Sequence, residues 1–90
     1  MTAPVRTHTF RGRRWRFAKL KKQGARGICE APHVTGKEMD IPLDGTQRTD
    51  LDTVLHEALH ACLWDLDEEA VHETATDIAR LLWRLGWRRK

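Results

Sequence analysis

The sequence predicts an α+β domain in the order βββαα: a three-stranded sheet packed on one helix, followed by a second helix that folds back antiparallel to it. Three observations carry this. Residues 8–43 hold short runs in which aromatic and aliphatic residues alternate in part with Arg, Lys or acids, broken by Gly and Pro. Residues 51–62 and 71–85 carry apolar residues at helical spacing. Between those two stretches lies Trp64-Asp65-Leu66-Asp67, a turn-like break.

The elements follow in order. Residues 1–7 form a loose start in which Pro4 discourages regular structure. Residues 8–20 read as β, with Thr9, Phe10, Trp15, Phe17 and Leu20 set among basic residues, and Arg11-Gly12-Arg13 as a tight turn or a bulge. Lys21-Lys22-Gln23-Gly24 is a turn signal. Residues 27–31 are a short second strand with Ile28 inward, and residues 31–36 a loop. Residues 38–43 are the third strand, with Met39 and Ile41 on one face. Pro42 near its end marks it as an edge strand.

Asp44-Gly45 ends the sheet. Thr49 is the expected N-cap of the first helix, with Asp52 at its third position and Leu51, Leu55, Leu59 and Cys62 as its apolar stripe. Asp65 or Asp67 caps the second helix, where Glu68 and Glu69 suit the first turn. Val71, Ala75, Ile78, Leu82 and Leu85 form its core-facing stripe, and Gly86 stops it. Trp83 and Trp87 are expected to cover the sheet or each other.

Ninety residues allow one domain, residues 1–90, with a small core that a bound metal would help to stabilise. No apolar run is long enough to span a bilayer and no signal-peptide pattern is present, so a cytoplasmic location is expected. Cys29 and Cys62 make no disulfide framework. The net charge of +3 conceals segregation. Residues 1–37 carry ten basic residues against Glu30 alone, residues 38–79 carry Arg48 against twelve acids, and residues 80–90 carry five basic residues. The acidic middle suits a cation site. The basic ends could meet an acidic partner or remain a solvated face.

The stretch that organises the chain is His56-Glu57-Ala58-Leu59-His60. Residues four apart on a helix lie about 40° apart around its axis, so both imidazoles point the same way and can share one Zn²⁺. Glu57 sits beside that ion as general base, able to take a proton from the attacking water. If the two helices pair antiparallel about the break, Glu73 faces His60 and supplies a third ligand. Asp77 then faces His56 and can accept its free ring N–H. Glu69 and His72 remain alternative third ligands. Glu69 reaches if the turn is tighter, and His72 would make a three-histidine site.

This E-x-x-x-D after H-E-x-x-H resembles the gluzincins, the thermolysin-like branch of zinc metallopeptidases. More narrowly, residues 52–62, 64–71 and 82–87 look like small metallopeptidases of phages and prophages, and are similar to the minigluzincins, which are catalytic cores stripped of flanking subdomains. The resemblance implies a minimal zincin-like fold, one Zn²⁺, and a protein or peptide substrate held in extended form on an edge strand, here residues 38–43. Phage origin would place the protein in the bacterial host cytoplasm. The family also uses a Tyr or His to stabilise the oxyanion. This chain has no Tyr, which leaves His33, His72 or Arg80 for that role.

The leading expectation is therefore a zinc-dependent metallopeptidase. One alternative is a non-catalytic zinc-binding interaction module. The other is a DNA-associated protease of SprT type, with Arg11, Arg13, Arg14, Arg16, Lys19, Lys21 and Lys22 along phosphates and Phe10, Trp15 and Phe17 on bases. Those aromatics are also the only large apolar residues available to the sheet side of the core, so nucleic-acid binding is expected to be weak or absent. The substrate and the oligomeric state are not legible in the sequence.

Overall fold

The computed structural model describes residues 5–19 and 27–89. The expectations for residues 1–4, Leu20 and the turn Lys21-Lys22-Gln23-Gly24 lie outside these. The fold is α+β with a four-stranded sheet and two helices: β1 (Thr7–Phe10), β2 (Arg13–Lys19), β3 (Ile28–Cys29), β4 (Glu38–Ile41), α1 (Arg48–Cys62) and α2 (Glu68–Arg84).

The extra strand arises at Arg11-Gly12. Both residues have positive φ, 49° and 81°, and Phe10 pairs with Arg13. A two-residue turn of this kind matches the twist of a hairpin, so the first β stretch folds into two antiparallel strands instead of one. The Arg11 guanidinium then donates to the Cys62 carbonyl at 2.9 Å. It satisfies a C-terminal carbonyl of α1 and ties the hairpin to the end of that helix.

Sheet order is β1-β2-β4-β3, with β2 and β4 parallel and β3 antiparallel to β4. Residues 38–43 are therefore not an edge strand. The strand ends at Ile41, so Pro42 falls just beyond the ladder and removes no hydrogen bond from it. The edge beside the helices is β3. Its Ile28 points outward, 58 % exposed, against the expectation, while Cys29 packs on the core.

Trp15 is fully buried with Met39, Ile41 and Ala61, and Phe10, Phe17, Leu43 and Val54 pack around them. Its indole N–H donates to Glu30 C=O at 3.0 Å. Burial of this ring contributes on the order of 4 kcal/mol. The aromatics of β1 and β2 are thus committed to the core.

Helix α1 begins earlier than expected. Gln47, not Thr49, is its N-cap, and the Asp50 carboxylate accepts from the Gln47 amide at 2.9 Å. Gly45 makes room for that carboxylate, since a Cβ there would fall 2.3 Å from Asp50 Cγ. Glu57 and Ala61 are the buried residues of α1, while Leu51, Leu55, Leu59 and Cys62 are only half-buried.

Asp67 caps α2, accepting from the Ala70 amide at 2.8 Å. Its buried row is Val71, Ala75 and Ala79; Ile78 and Leu85, expected inside, are exposed. The helix ends at Gly86, φ 96°, with Trp87 N–H bonded to Leu82 C=O and Gly86 N–H to Trp83 C=O. This is the paired-bond stop that glycine permits. Among the described residues α2 packs on α1 and its backbone approaches no strand; Trp83 and Trp87 line a depression with Pro42, just past β4, and with Leu51 and Val54 of α1. Trp83 also lies under the Arg88 guanidinium, 3.4 Å from ring centre to Cζ. Neither helix is long and apolar enough to cross a membrane.

Candidate metal centre

His56 and His60 stand one turn apart on α1 with their Nε2 atoms 3.1 Å apart. Glu68, in the first turn of α2, bridges them: Oε1 lies 2.8 Å from His56 Nε2 and Oε2 2.8 Å from His60 Nε2. Each ring nitrogen can donate to its own carboxylate oxygen, which leaves the two Nε2 atoms crowded against each other at 3.1 Å. A shared cation would satisfy all of them through their lone pairs. Tetrahedral coordination at about 2 Å per ligand spaces neighbouring donor atoms roughly 3.3 Å apart, close to what is seen here. The residues present therefore fit a bound metal ion. His56, Glu57 and His60 also form a group whose donor atoms all lie within 4.8 Å of one another.

Glu57 follows the first histidine by one residue and so points about 100° away, toward the sheet. It is 4 % exposed, the buried charged residue of the structure among those described. Burial raises its carboxyl to about 7, with smaller pushes from Glu68 and Asp40. Gly27 presses on it: a Cβ at Gly27 would fall 2.7 Å from both Glu57 Cγ and Oε2, and 2.9 Å from Thr53 Cγ2. No side chain fits between β3 and this carboxylate.

These groups open onto a cleft of about 960 Å³ between β3, α1 and the start of α2. Its acids are Asp52, Glu57, Glu68 and Glu69, and among the described residues no Lys or Arg lines it. Trp64 stands at one end, its ring 6.3 Å from that of His60. Along β3, the Glu30 N–H bonds Glu38 C=O at 3.1 Å. Alternation along an antiparallel ladder then turns the Cys29 amide and carbonyl away from β4, toward the side of β3 that no described strand pairs.

The third acidic partner differs from the expectation. Glu68, not Glu73, is brought to the two imidazoles. Glu73 is exposed and does not line the cleft. Asp77 is likewise exposed, and no described hydrogen bond joins it to His56. The reason is the register of the helix hairpin. Leu63 ends α1 and Asp67 caps α2, as expected, but the two helices pack with their facing residues shifted along α2 by five positions. Glu68, His72 and Thr76, four apart, face His60, His56 and Asp52, also four apart. Glu73 and Asp77 belong to the adjoining row, rotated about 100° toward solvent.

Glu69 lies on the rim of the cleft, and His72 lines it with its ring 6.3 Å from that of His56. His33 borders a different depression with Phe10, Arg11 and Trp64, and Arg80 is exposed away from the cleft. Sequence reading missed Glu68, Gly27 and Trp64 as parts of the site. Glu68 was marked only by its place in the first turn of α2; which residue of α2 meets His60 depends on how the two helices pack.

The chain matches no known protein family, no characterised protein and no solved structure.

Proposed function

We propose that this protein is a zinc-dependent peptidase of minimal zincin type, with His56, His60 and Glu68 as ligands and Glu57 as general base. The observation that carries the reading is the convergence of two imidazoles and a carboxylate at one point, with a second, buried carboxylate beside them. Two nitrogen donors and one oxygen donor suit zinc among the common metals, and a three-residue set leaves a position open to substrate and water.

Bound zinc would polarise the scissile carbonyl and lower the pKa of the attacking water toward about 7. The chain's residues supply the rest. Glu57 takes the proton of that water and hands it to the departing amine. Its burial keeps it more basic than an ordinary carboxylate. The outward amide and carbonyl of Cys29 pair with an extended peptide, taking over the substrate role first assigned to residues 38–43. His72 donates to the developing oxyanion, being the one of the three residues considered for that role that borders the cleft.

The test pairs metal analysis with a peptide-library cleavage assay on wild type and Glu57→Gln. The expected outcome is one zinc per chain in both proteins, cleavage by wild type, and loss of about 10²–10⁴ in rate in the variant. Zinc in both with cleavage by neither would replace this reading with that of an interaction module whose metal is structural.

A further inference from the structure

Helix α2 carries an apolar face that nothing among the described residues covers. One side holds Val71, Ala75 and Ala79 against α1, and the next holds Glu68 and His72 at the cleft. Away from both stand Ile78, Leu81 and Leu85, which are 36 %, 54 % and 66 % exposed. Their spacing of three and four residues, extended by Thr74, is that of a two-helix seam. A globular helix of this length ordinarily turns one such stripe inward, and α2 has two.

The charges beside this stripe are ordered. Glu73 and Asp77 lie toward the N-terminal end, Arg80 and Arg84 toward the C-terminal end. All four are exposed, and none takes part in a described ion pair. A uniformly acidic or basic partner would be repelled by one half of the helix. A second α2 running antiparallel is complementary to both halves at once.

We infer that the occupant of this face is a second copy of the chain, docked α2 against α2 about a two-fold axis passing near Leu81. A two-fold axis crossing one helix face makes the pair antiparallel, so Asp77 of each copy approaches Arg84 of the other. A parallel pair would instead set Glu73 against Glu73. The cleft lies on another side of α2, so the dimer leaves it open. The inference does not depend on what the cleft does.

Sedimentation equilibrium of the full chain over a concentration series tests this. A monomer–dimer equilibrium is expected. Leu81→Glu should yield monomer with unchanged helical circular dichroism and unchanged metal content. Asp77→Arg and Arg84→Asp should each raise the dissociation constant roughly tenfold or more, and the double variant should restore dimerisation, because the swap preserves complementarity. A chain that stays monomeric up to its solubility limit overturns the proposal, whether or not it captures another protein. So does a dimer indifferent to Leu81→Glu, or a double variant no better than the single ones.

Discussion

Thr76 donates its hydroxyl hydrogen to Asp52 Oδ2 across the helix hairpin, at 3.0 Å. This bond lies one turn along α1 from His56 and one turn along α2 from His72. It holds the register that sets Glu68, rather than its neighbour, against the imidazoles. Thr76→Val keeps the shape and removes the donor from a half-buried carboxylate. Stability should fall by about 1–2 kcal/mol, and metal affinity should weaken with it because the hairpin is freer to slide. Thermal melts and metal titration read the two effects. An unchanged melting temperature would mean that the bond has no part in setting the register.

The two candidate glutamates separate cleanly. Glu68→Gln should weaken metal binding by more than about tenfold, since it removes charge and a donor from the bridge. Glu73→Gln should leave binding at the wild-type level, because Glu73 is exposed in the neighbouring row. Calorimetric titration of both variants decides the matter, and the reverse result would place the hairpin in the other register.

Gly27 offers a way to disturb Glu57 without touching a ligand. An added Cβ meets the Glu57 side chain at 2.7 Å, so Gly27→Ala must displace that carboxylate or the strand. We expect metal content to stay at the wild-type value. Any hydrolysis should drop by roughly 10²-fold, as when a general base is lost, with a stability cost of about 1–3 kcal/mol for the overpacking. Hydrolysis at the wild-type rate would show that Glu57 does not act from its buried position.

Cys29 makes alkaline stability a readout of burial. Its thiol is raised from 9.0 to about 12, first by burial, then by Glu57, Glu30 and Cys62. The folded state keeps this proton after the unfolded chain has released it. Its contribution is therefore fully present below pH 9.0 and is lost as pH rises through about 12. Urea midpoints measured across that range should decline less steeply in Cys29→Ala than in wild type. Equal slopes would show the thiol to be solvated.

Much of the structure is written in local pattern. The spacing of His56 and His60 sets their common direction because a helix turns 100° per residue whatever surrounds it. Gly86 stops α2 and Asp67 starts it through bonds within a few residues of each. Trp15, Met39 and Ile41 read as inward because alternation along a strand is a property of the strand itself. The Arg11-Gly12 turn was legible as a break, though not as the divider of two strands, since a single interrupted strand carries the same residues.

The tertiary structure decided what depends on distant partners. Strand order placed β4 inside the sheet and left β3 at the cleft, because pairing compares segments that the sequence keeps apart. Hairpin register chose Glu68 over Glu73. Glu73 follows His72 by one residue and so stands about 100° off the row that faces α1, and neither row is more acidic than the other in a way that sequence alone could weigh. Likewise Ile78 and Leu85 carry the same hydropathy whether they meet a core or the surface. Only the packing of α2 on α1 alone, with no strand beside it, turned them outward.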